Sequence, residues 1–191
     1  MKKKEIRTVD ITNLQTREAE NDQPAMISGY AAVFNSPALI WDGLKEVIAP
    51  GAFARAITES DVRCLFDHDW SKVLGRSKSG TLRLSEDDHG LRFEVDLPDT
   101  SIARDLAESM NRGDINQCSF GFVPTKEQWD YNTDPVVRTI EEVELYEVSI
   151  VTLPAYDDTE AALVRSRNEM KESVQTRKKL IQKIKGALEN E

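Results

Sequence analysis

The sequence contains few of the residues that metal sites and disulfide frameworks require. Its 191 residues include two cysteines, Cys64 and Cys118, and two histidines, His68 and His89. These are too few for a disulfide framework or a zinc cluster, so we predict no metal, no disulfide and no cofactor. No run approaches the roughly 18 apolar residues of a membrane span. We therefore expect no membrane partner.

Positive charge is also in deficit, and this bears on partners and location. The formal net charge of −9 argues against nucleic acid as the main partner, and a protein or peptide partner fits better. The opening Met1-Lys2-Lys3-Lys4 is followed by Glu5-Ile6-Arg7 rather than by the apolar core of a signal peptide. We expect the protein to remain in the cytoplasm in which it is made.

Short segments of alternating polarity dominate the chain and predict a mainly β fold with few helices. The clearest helix is 102–110, with Thr100 or Ser101 as its cap. A closed or strongly curved, mainly antiparallel sheet is the simplest architecture, and a Rossmann-type fold is disfavoured. Predicted strands cover 5–14, 25–34, 41–48, 62–66, 81–85, 91–97, 116–123 and 136–153.

The composition becomes strongly charged from Thr159 onward, which divides the chain in two. We predict one domain over 1–158 and a helical tail over 159–191. The tail has a single narrow apolar stripe, made of Val174, Ile181, Ile184 and Leu188. This stripe is too weak for a coiled coil, so the tail either docks on a partner or is a solvated, frayed helix.

The segment 116–122 places Ser119 inside a short apolar strand. Strand alternation puts Ser119 and Gly121 on one face, and Cys118 and Phe120 on the other. Gly121 has no side chain, so a substrate has room to approach the Ser119 hydroxyl. Ser119 is therefore a candidate nucleophile. The alternative is a structural serine that donates to a neighbouring carbonyl oxygen.

A serine nucleophile needs an adjacent base, and His68 is the better of the two histidines. It follows the apolar strand 62–66 and, if that strand continues, shares a face with Cys64 and Trp70. His89 lies in an acidic turn, where an exposed surface role explains it, and we give it no function. The alternatives for His68 are structural or surface roles.

Glu147 is the candidate for the group that orients the base. It is flanked by apolar residues in the strand 136–153, and a buried carboxylate needs a partner. A salt bridge to Arg138 or Arg63 explains it equally well. Cys118 is a rival nucleophile that more plausibly packs in the core, and Cys64 is a weaker one on the predicted His68 face.

Ordered blocks through most of the chain resemble the prohead maturation proteases of tailed bacteriophages. This family is similar to the herpesvirus assembly proteases, which implies a serine endopeptidase on a small closed β-barrel surrounded by helices. The resemblance carries the family's histidine to His68 and its serine to Ser119. The third residue is then Glu147, with Glu144 or a Ser-His dyad as alternatives. The blocks include Gly29-Tyr30-Ala31-Ala32-Val33-Phe34-Asn35, Ile48-Ala49-Pro50-Gly51-Ala52-Phe53, Asp67-His68-Asp69, Leu97-Pro98-Asp99-Thr100, Arg112-Gly113-Asp114-Ile115, Ser119-Phe120-Gly121-Phe122, Glu147-Val148-Ser149-Ile150-Val151 and Pro154-Ala155-Tyr156.

The implied activity is cleavage of scaffold, or of a scaffold-like arm of the major capsid protein, together with self-cleavage, inside proheads in the host cytoplasm. The partners are then capsid or scaffold protein and a further copy of the chain. A catalytically silent capsid-assembly chaperone is the competing hypothesis. The tail could dock on scaffold helices and be removed by autoproteolysis.

Overall fold

The computed structural model describes residues 4–19, 24–152 and 161–188. Among these, strands far outnumber helices, so the prediction of a mainly β fold with a few helices is confirmed. The strands are β1 (Glu5–Asp10), β2 (Thr12–Arg17), β3 (Met26–Val33), β4 (Ala38–Trp41), β5 (Leu44–Ile48), β6 (Arg63–Phe66), β7 (Asp69–Arg76), β8 (Leu82–Glu86), β9 (Gly90–Asp96), β10 (Gln117–Asp130) and β11 (Val136–Val151). The α-helices are α1 (Ala54–Glu59), α2 (Ser101–Asn111) and α3 (Ala161–Leu188).

The strands form two sheets. In the larger sheet the order is β1-β10-β11-β5-β4, and β6 also pairs with β11 and carries β7. The smaller sheet has the order β2-β3-β9-β8. The ladders are antiparallel except those of β11 with β5 and with β6, which are parallel. Strand β11 is long enough to hold β5 along its first half and β6 along its second half.

The closed barrel that we predicted is not formed by the described strands. The chain passes from β1 into β2 with a break at Ile11, and this break transfers it from one sheet to the other. Single hydrogen bonds, such as that from Ile11 N to Asn116 O at 2.8 Å, mark the corner. No continuous ladder among the described residues joins the two sheets. The predicted single strand over 5–14 was wrong, because the chain breaks at Ile11 and continues as two strands in different sheets.

One shared core lies between the sheets and the first two helices. The ring of Phe120 stands edge-on to Phe53 and stacks on Phe122, with ring centres 5.6 Å and 5.2 Å apart. Ala103, Leu106 and Met110 bury one side of α2 against this core, and the Thr100 side chain caps the helix. Strand β10 continues to Asp130, beyond the end predicted for this strand at residue 123.

The tail region contains the helix α3, which contacts the larger sheet. Val174 is buried and packs with Leu44 and Val136, which are partners in the β5–β11 ladder. Further along the predicted apolar stripe, Ile184 and Leu188 are exposed. The stripe is thus used only near its first member, and the domain boundary at 158/159 stays a prediction.

Candidate active site

His68 lies at the tip of the tight hairpin between β6 and β7. Asp67 and His68 are the two tip residues and have φ angles of 50° and 56°. Two consecutive positive φ angles are typical of a type I′ turn. Our expectation that the strand continues through His68 was therefore wrong, because the chain reverses at this point. The Asp67 carboxylate accepts hydrogen bonds from Thr152 N at 2.8 Å and Thr152 Oγ1 at 3.1 Å, which ties the tip to the end of β11.

A β-bulge in β11 sets the direction of Glu147. Gly121 pairs with Glu147 and Phe122 with Leu145, so Tyr146 is an extra residue without a partner in β10. The bulge reverses the alternation along the strand. Strict strand alternation over 136–153 would place Leu145 and Glu147 on one face, and the bulge makes that expectation wrong. Leu145 lies in the core, whereas Tyr146 and Glu147 both lie on the opposite face of the sheet.

Glu147 is buried and makes contacts with three polar side chains. Its Oε1 lies 2.8 Å from His68 Nδ1 and 3.6 Å from Lys4 Nζ, and its Oε2 accepts a hydrogen bond from Ser149 Oγ. Burial by itself raises the pKa of Glu147, but the hydrogen bonds from His68 and Ser149 and the positive charges hold it below the usual value. The carboxylate is therefore ionised at neutral pH.

The alternative partners considered for Glu147 are bound elsewhere. Arg138 pairs with Glu5, Glu46 and Glu127 in a buried network. Arg63 donates to the backbone oxygen of Asp61 and pairs with the same residue's carboxylate. Glu144, the other acid that we considered, accepts a hydrogen bond from the Tyr146 hydroxyl at 2.8 Å.

The second ring nitrogen of His68 is available. Nε2 is covered from solvent and has no hydrogen-bond partner among the described residues. A neutral imidazole that donates from Nδ1 to a carboxylate presents Nε2 as an acceptor. Glu147 thus fixes the ring through Nδ1, while the acceptor at Nε2 has no partner among the described residues.

Ser119 lies in the middle of the larger sheet, between Thr8 of β1 and Ser149 of β11. It is fully buried, and its Oγ donates to the backbone oxygen of Arg7 at 3.0 Å. A Cβ added to Gly121 would lie 2.5 Å from Glu147 Oε1. Since Ser119 and Gly121 share a face, Ser119 lies on the face that carries Glu147.

The structure therefore brings the three predicted residues to one face of the larger sheet. A hydrogen bond joins His68 to Glu147, while the Ser119 hydroxyl bonds to a neighbouring carbonyl, as the structural alternative expects. The space above Gly121, which we expected to be open, is occupied by the carboxylate of Glu147 and the side chain of Lys4.

The two thiols are poor nucleophiles in this environment. Cys64 and Cys118 are both completely buried. Burial raises the pKa of each thiol far above its usual value, and the nearby Glu147 charge adds to the effect. Both thiols are therefore protonated at neutral pH, and the thiolate is the reactive form.

Sequence reasoning missed three residues that contact this site or hold it in place. Ser149 and Asp67 carried a visible signal, since Ser149 follows Glu147 at the two-residue spacing of a strand and Asp67 directly precedes His68. Lys4 carried none, because it belongs to a charged opening segment that lies far away in the chain. His89, to which we gave no role, lies 3.2 Å from Thr12 Oγ1 and packs edge-on against Tyr30.

No group of three or more histidine, cysteine, aspartate or glutamate side chains in the described ranges is arranged to hold a metal ion. No helix in those ranges is both long and apolar enough to cross a membrane. The segment Pro154-Ala155-Tyr156, the last block of the family resemblance, lies outside the described residues.

Comparison with known proteins places these observations in a family. The model of the caudovirus prohead serine protease family matches residues 12–174. The prohead protease of Escherichia phage T5 is 30% identical over 104 residues. This segment spans 54% of this chain and 46% of the T5 protein, so the match covers about half of that relative's length. The bacteriophage T4 capsid assembly protease has a similar fold, with a TM-score of 0.52 and 10% identity, covering 79% of this chain and 98% of that one. The resemblance found in the sequence is thereby confirmed, and the chain belongs to the caudovirus prohead serine protease family.

Proposed function

We propose that this protein is a serine endopeptidase that cleaves scaffold, or the scaffold-like arm of the major capsid protein, during prohead maturation. Family membership supports the general role, and the names of the T5 and T4 proteins support a substrate within an assembling capsid. In this proposal Ser119 is the nucleophile, His68 is the general base and Glu147 orients His68.

The observation that carries the proposal is the state of His68. Its Nδ1 lies 2.8 Å from an ionised, buried carboxylate, and its Nε2 has no partner among the described residues. A surface or structural histidine gains nothing from a buried ring nitrogen without a partner, since such an atom costs free energy. A general base requires this arrangement, because Nε2 must accept a proton.

The reaction begins when the Ser119 hydroxyl rotates from the Arg7 carbonyl toward His68. Nε2 takes the hydroxyl proton as Oγ attacks the carbonyl carbon of the substrate peptide, and Glu147 stabilises the imidazolium that forms. His68 then gives the proton to the leaving amine nitrogen, the C–N bond breaks and an acyl-enzyme remains. Water hydrolyses the ester, with His68 again accepting a proton and returning it to Oγ.

The direct test uses variants in co-expression with capsid and scaffold proteins. Ser119→Ala should abolish processing, with a loss of about 10⁵- to 10⁶-fold. Ser28→Ala is the matched control, because Ser28 is an equally buried serine in the smaller sheet. Normal processing by Ser119→Ala contradicts the assignment of the nucleophile.

A fluorophosphonate probe separates the protease from the chaperone hypothesis. The protease predicts labelling at Ser119 in assembled proheads and loss of labelling in His68→Ala. The absence of labelling in proheads, together with normal assembly, favours the chaperone. Labelling is measured in proheads as well as in the free protein, because a conformational equilibrium that depends on assembly can control activity.

Self-cleavage and the tail belong to the same proposal. The tail could dock on scaffold helices through the exposed part of its apolar stripe and be removed by autoproteolysis. Deletion of residues 171–191 should then reduce incorporation into proheads. Unchanged incorporation contradicts this role.

A further inference from the structure

The amine of Lys4 lies in a site made of two aromatic rings and a carboxylate. Lys4 Nζ is 5.2 Å from the ring centre of Trp70 and 5.9 Å from that of Tyr146. It is also 3.6 Å from Oε1 of Glu147. Aromatic faces together with a carboxylate are the groups that bind a primary ammonium ion.

Gly121 makes room for the aliphatic part of the lysine side chain. A Cβ at this position would lie 2.6 Å from Lys4 Cε, a separation that real Cβ atoms do not adopt. The backbone of β10 beside Ser119 is therefore bare where the lysine side chain crosses it. The site thus accommodates both the ammonium group and the methylene chain that carries it.

The rings that form the site are not part of the core. Trp70 is 52% exposed and Tyr146 is 37% exposed, and Tyr146 is placed on this face by the bulge in β11. Arg63 also approaches Trp70, with its Cζ 6.0 Å from the ring centre. Both its backbone-directed hydrogen bond and its ion pair go to Asp61, so Lys4 is the cation that faces Glu147.

The residues that form the site lie in the part of the chain that the family model matches, whereas Lys4 lies outside it. Trp70, Gly121, Tyr146 and Glu147 lie inside the matched range 12–174, whereas Lys4 precedes it. Glu147 also contacts His68, so a lysine side chain bound here lies next to the proposed general base. We propose that Trp70, Tyr146, Glu147 and the bare backbone of Gly121 form a subsite for a lysine side chain of the protein substrate, which Lys4 occupies in the free protein.

This inference rests on the proteolytic function proposed above and names a feature of its substrates. Substrates carry a lysine at a fixed position close to the cleaved bond. Lys4 competes with that lysine for the same site, so the free protein is partly inhibited by its own side chain. Lys4→Met should lower KM for lysine-containing peptides a few-fold, because it removes a competing ligand without changing the walls.

The test is the digestion of a mixed peptide library, with the cleaved ends sequenced and Ser119→Ala as the blank. Wild-type protein should enrich lysine at one position by about tenfold over the library, as a cation bound by aromatic faces and a carboxylate implies. Trp70→Leu should remove the enrichment, and Trp70→Phe should preserve most of it, since it keeps an aromatic face. Lys72→Met is the matched control for Lys4→Met. Lys72 lies on the same hairpin as Trp70, but its amine contacts Phe66 and Asp69 and not Glu147.

The outcomes separate this inference from the function on which it rests. Cleavage without lysine enrichment, or enrichment that Trp70→Leu leaves intact, overturns the subsite and leaves the protease standing. If the wild-type protein cleaves no peptide, the Lys4→Met variant is titrated with n-butylammonium, and the ring signals of Trp70 and Tyr146 are followed by NMR. Saturable shifts that n-butanol does not produce then support the subsite, and their absence overturns it.

Discussion

Asp67 should control the position of His68 without touching substrate, and three substitutions separate its two contributions. Its carboxylate accepts two hydrogen bonds from Thr152, and its φ of 50° lies in the left-handed region. Asparagine keeps an acceptor oxygen and tolerates this conformation. Glycine tolerates the conformation but loses both hydrogen bonds. Alanine loses the hydrogen bonds and is also strained.

The magnitudes follow from these contacts. Loss of the two hydrogen bonds at this exposed position costs about 1–2 kcal/mol. Alanine adds about 1 kcal/mol, because a Cβ disfavours a positive φ. If the first cost acts entirely on the hairpin tip, the population with His68 aligned falls by up to about 30-fold. We expect the loss of kcat to be smallest in Asp67→Asn, larger in Asp67→Gly and largest in Asp67→Ala, with KM nearly unchanged.

The assay is a kcat and KM measurement on a processed peptide, together with the NMR signal of the His68 Nδ1 proton. That signal reports the hydrogen bond to Glu147 and should weaken in the same order as kcat. A purely structural role for Asp67 would lower thermal stability without moving the proton signal. Equal kcat values for Asp67→Asn and Asp67→Gly would refute the reasoning.

Three further predictions concern charge and space around the site. Glu147→Gln removes the charge but keeps an acceptor for His68, so kcat should fall by about 10²- to 10⁴-fold, less completely than in Ser119→Ala. Gly121→Ala should displace the Glu147 carboxylate and lower kcat, whereas Gly186→Ala, where a Cβ meets no atom within 4 Å, should leave it unchanged. Arg138→Met removes one of the two arginines that pair with Glu5 and Glu46 and leaves only Arg7 to balance both carboxylates. Urea unfolding should show a loss of about 3–5 kcal/mol.

The dependence of stability on pH follows from two buried carboxyl groups. Burial opposes ionisation of Glu5 and Glu147, but Arg138 and His68 hold the pKa of each below its ordinary value of 4.5. A lowered pKa contributes stability above the unfolded value and loses it as pH falls through the folded one. The free energy of unfolding should therefore be constant above this pH range and decrease as pH falls below 4.5. Urea titrations at several pH values measure this dependence. A free energy of unfolding that does not change below pH 4.5 would contradict the two pairs.

The strand that carries Ser119 was predictable because its alternation is local. Cys118 and Phe120 face the core, and Ser119 faces the other side, as the pattern of the segment indicates. The helix α2 was predictable for the same reason, since its apolar spacing and its Thr100 cap are both written within a dozen residues.

Features that depend on pairing between distant segments were not predictable. The reversal at Tyr146 exists because β10 pairs with β11 with one residue left over, and no pattern within 136–151 marks it. The turn at Asp67 and His68 lacks the asparagine-glycine signal of a type I′ hairpin, and Thr152 stabilises it from another part of the chain. The contact of Lys4 with Glu147 likewise joins residues that only the folded sheet brings together.

The anchoring of β1 limits which parts of the proposed site can move. Glu5 and Arg7 belong to the buried network with Arg138 and Glu46, so displacing β1 would break several buried ion pairs at once. The ladder with β10 begins at Glu5, and Lys4 lies just outside it. Lys4 can therefore leave Glu147 while β1 stays paired, and Ser119 needs only a rotation of its hydroxyl to leave the Arg7 carbonyl. In the proposed mechanism, the departure of Lys4 and the rotation of the Ser119 hydroxyl are therefore movements of side chains, and neither requires the β1–β10 ladder to open.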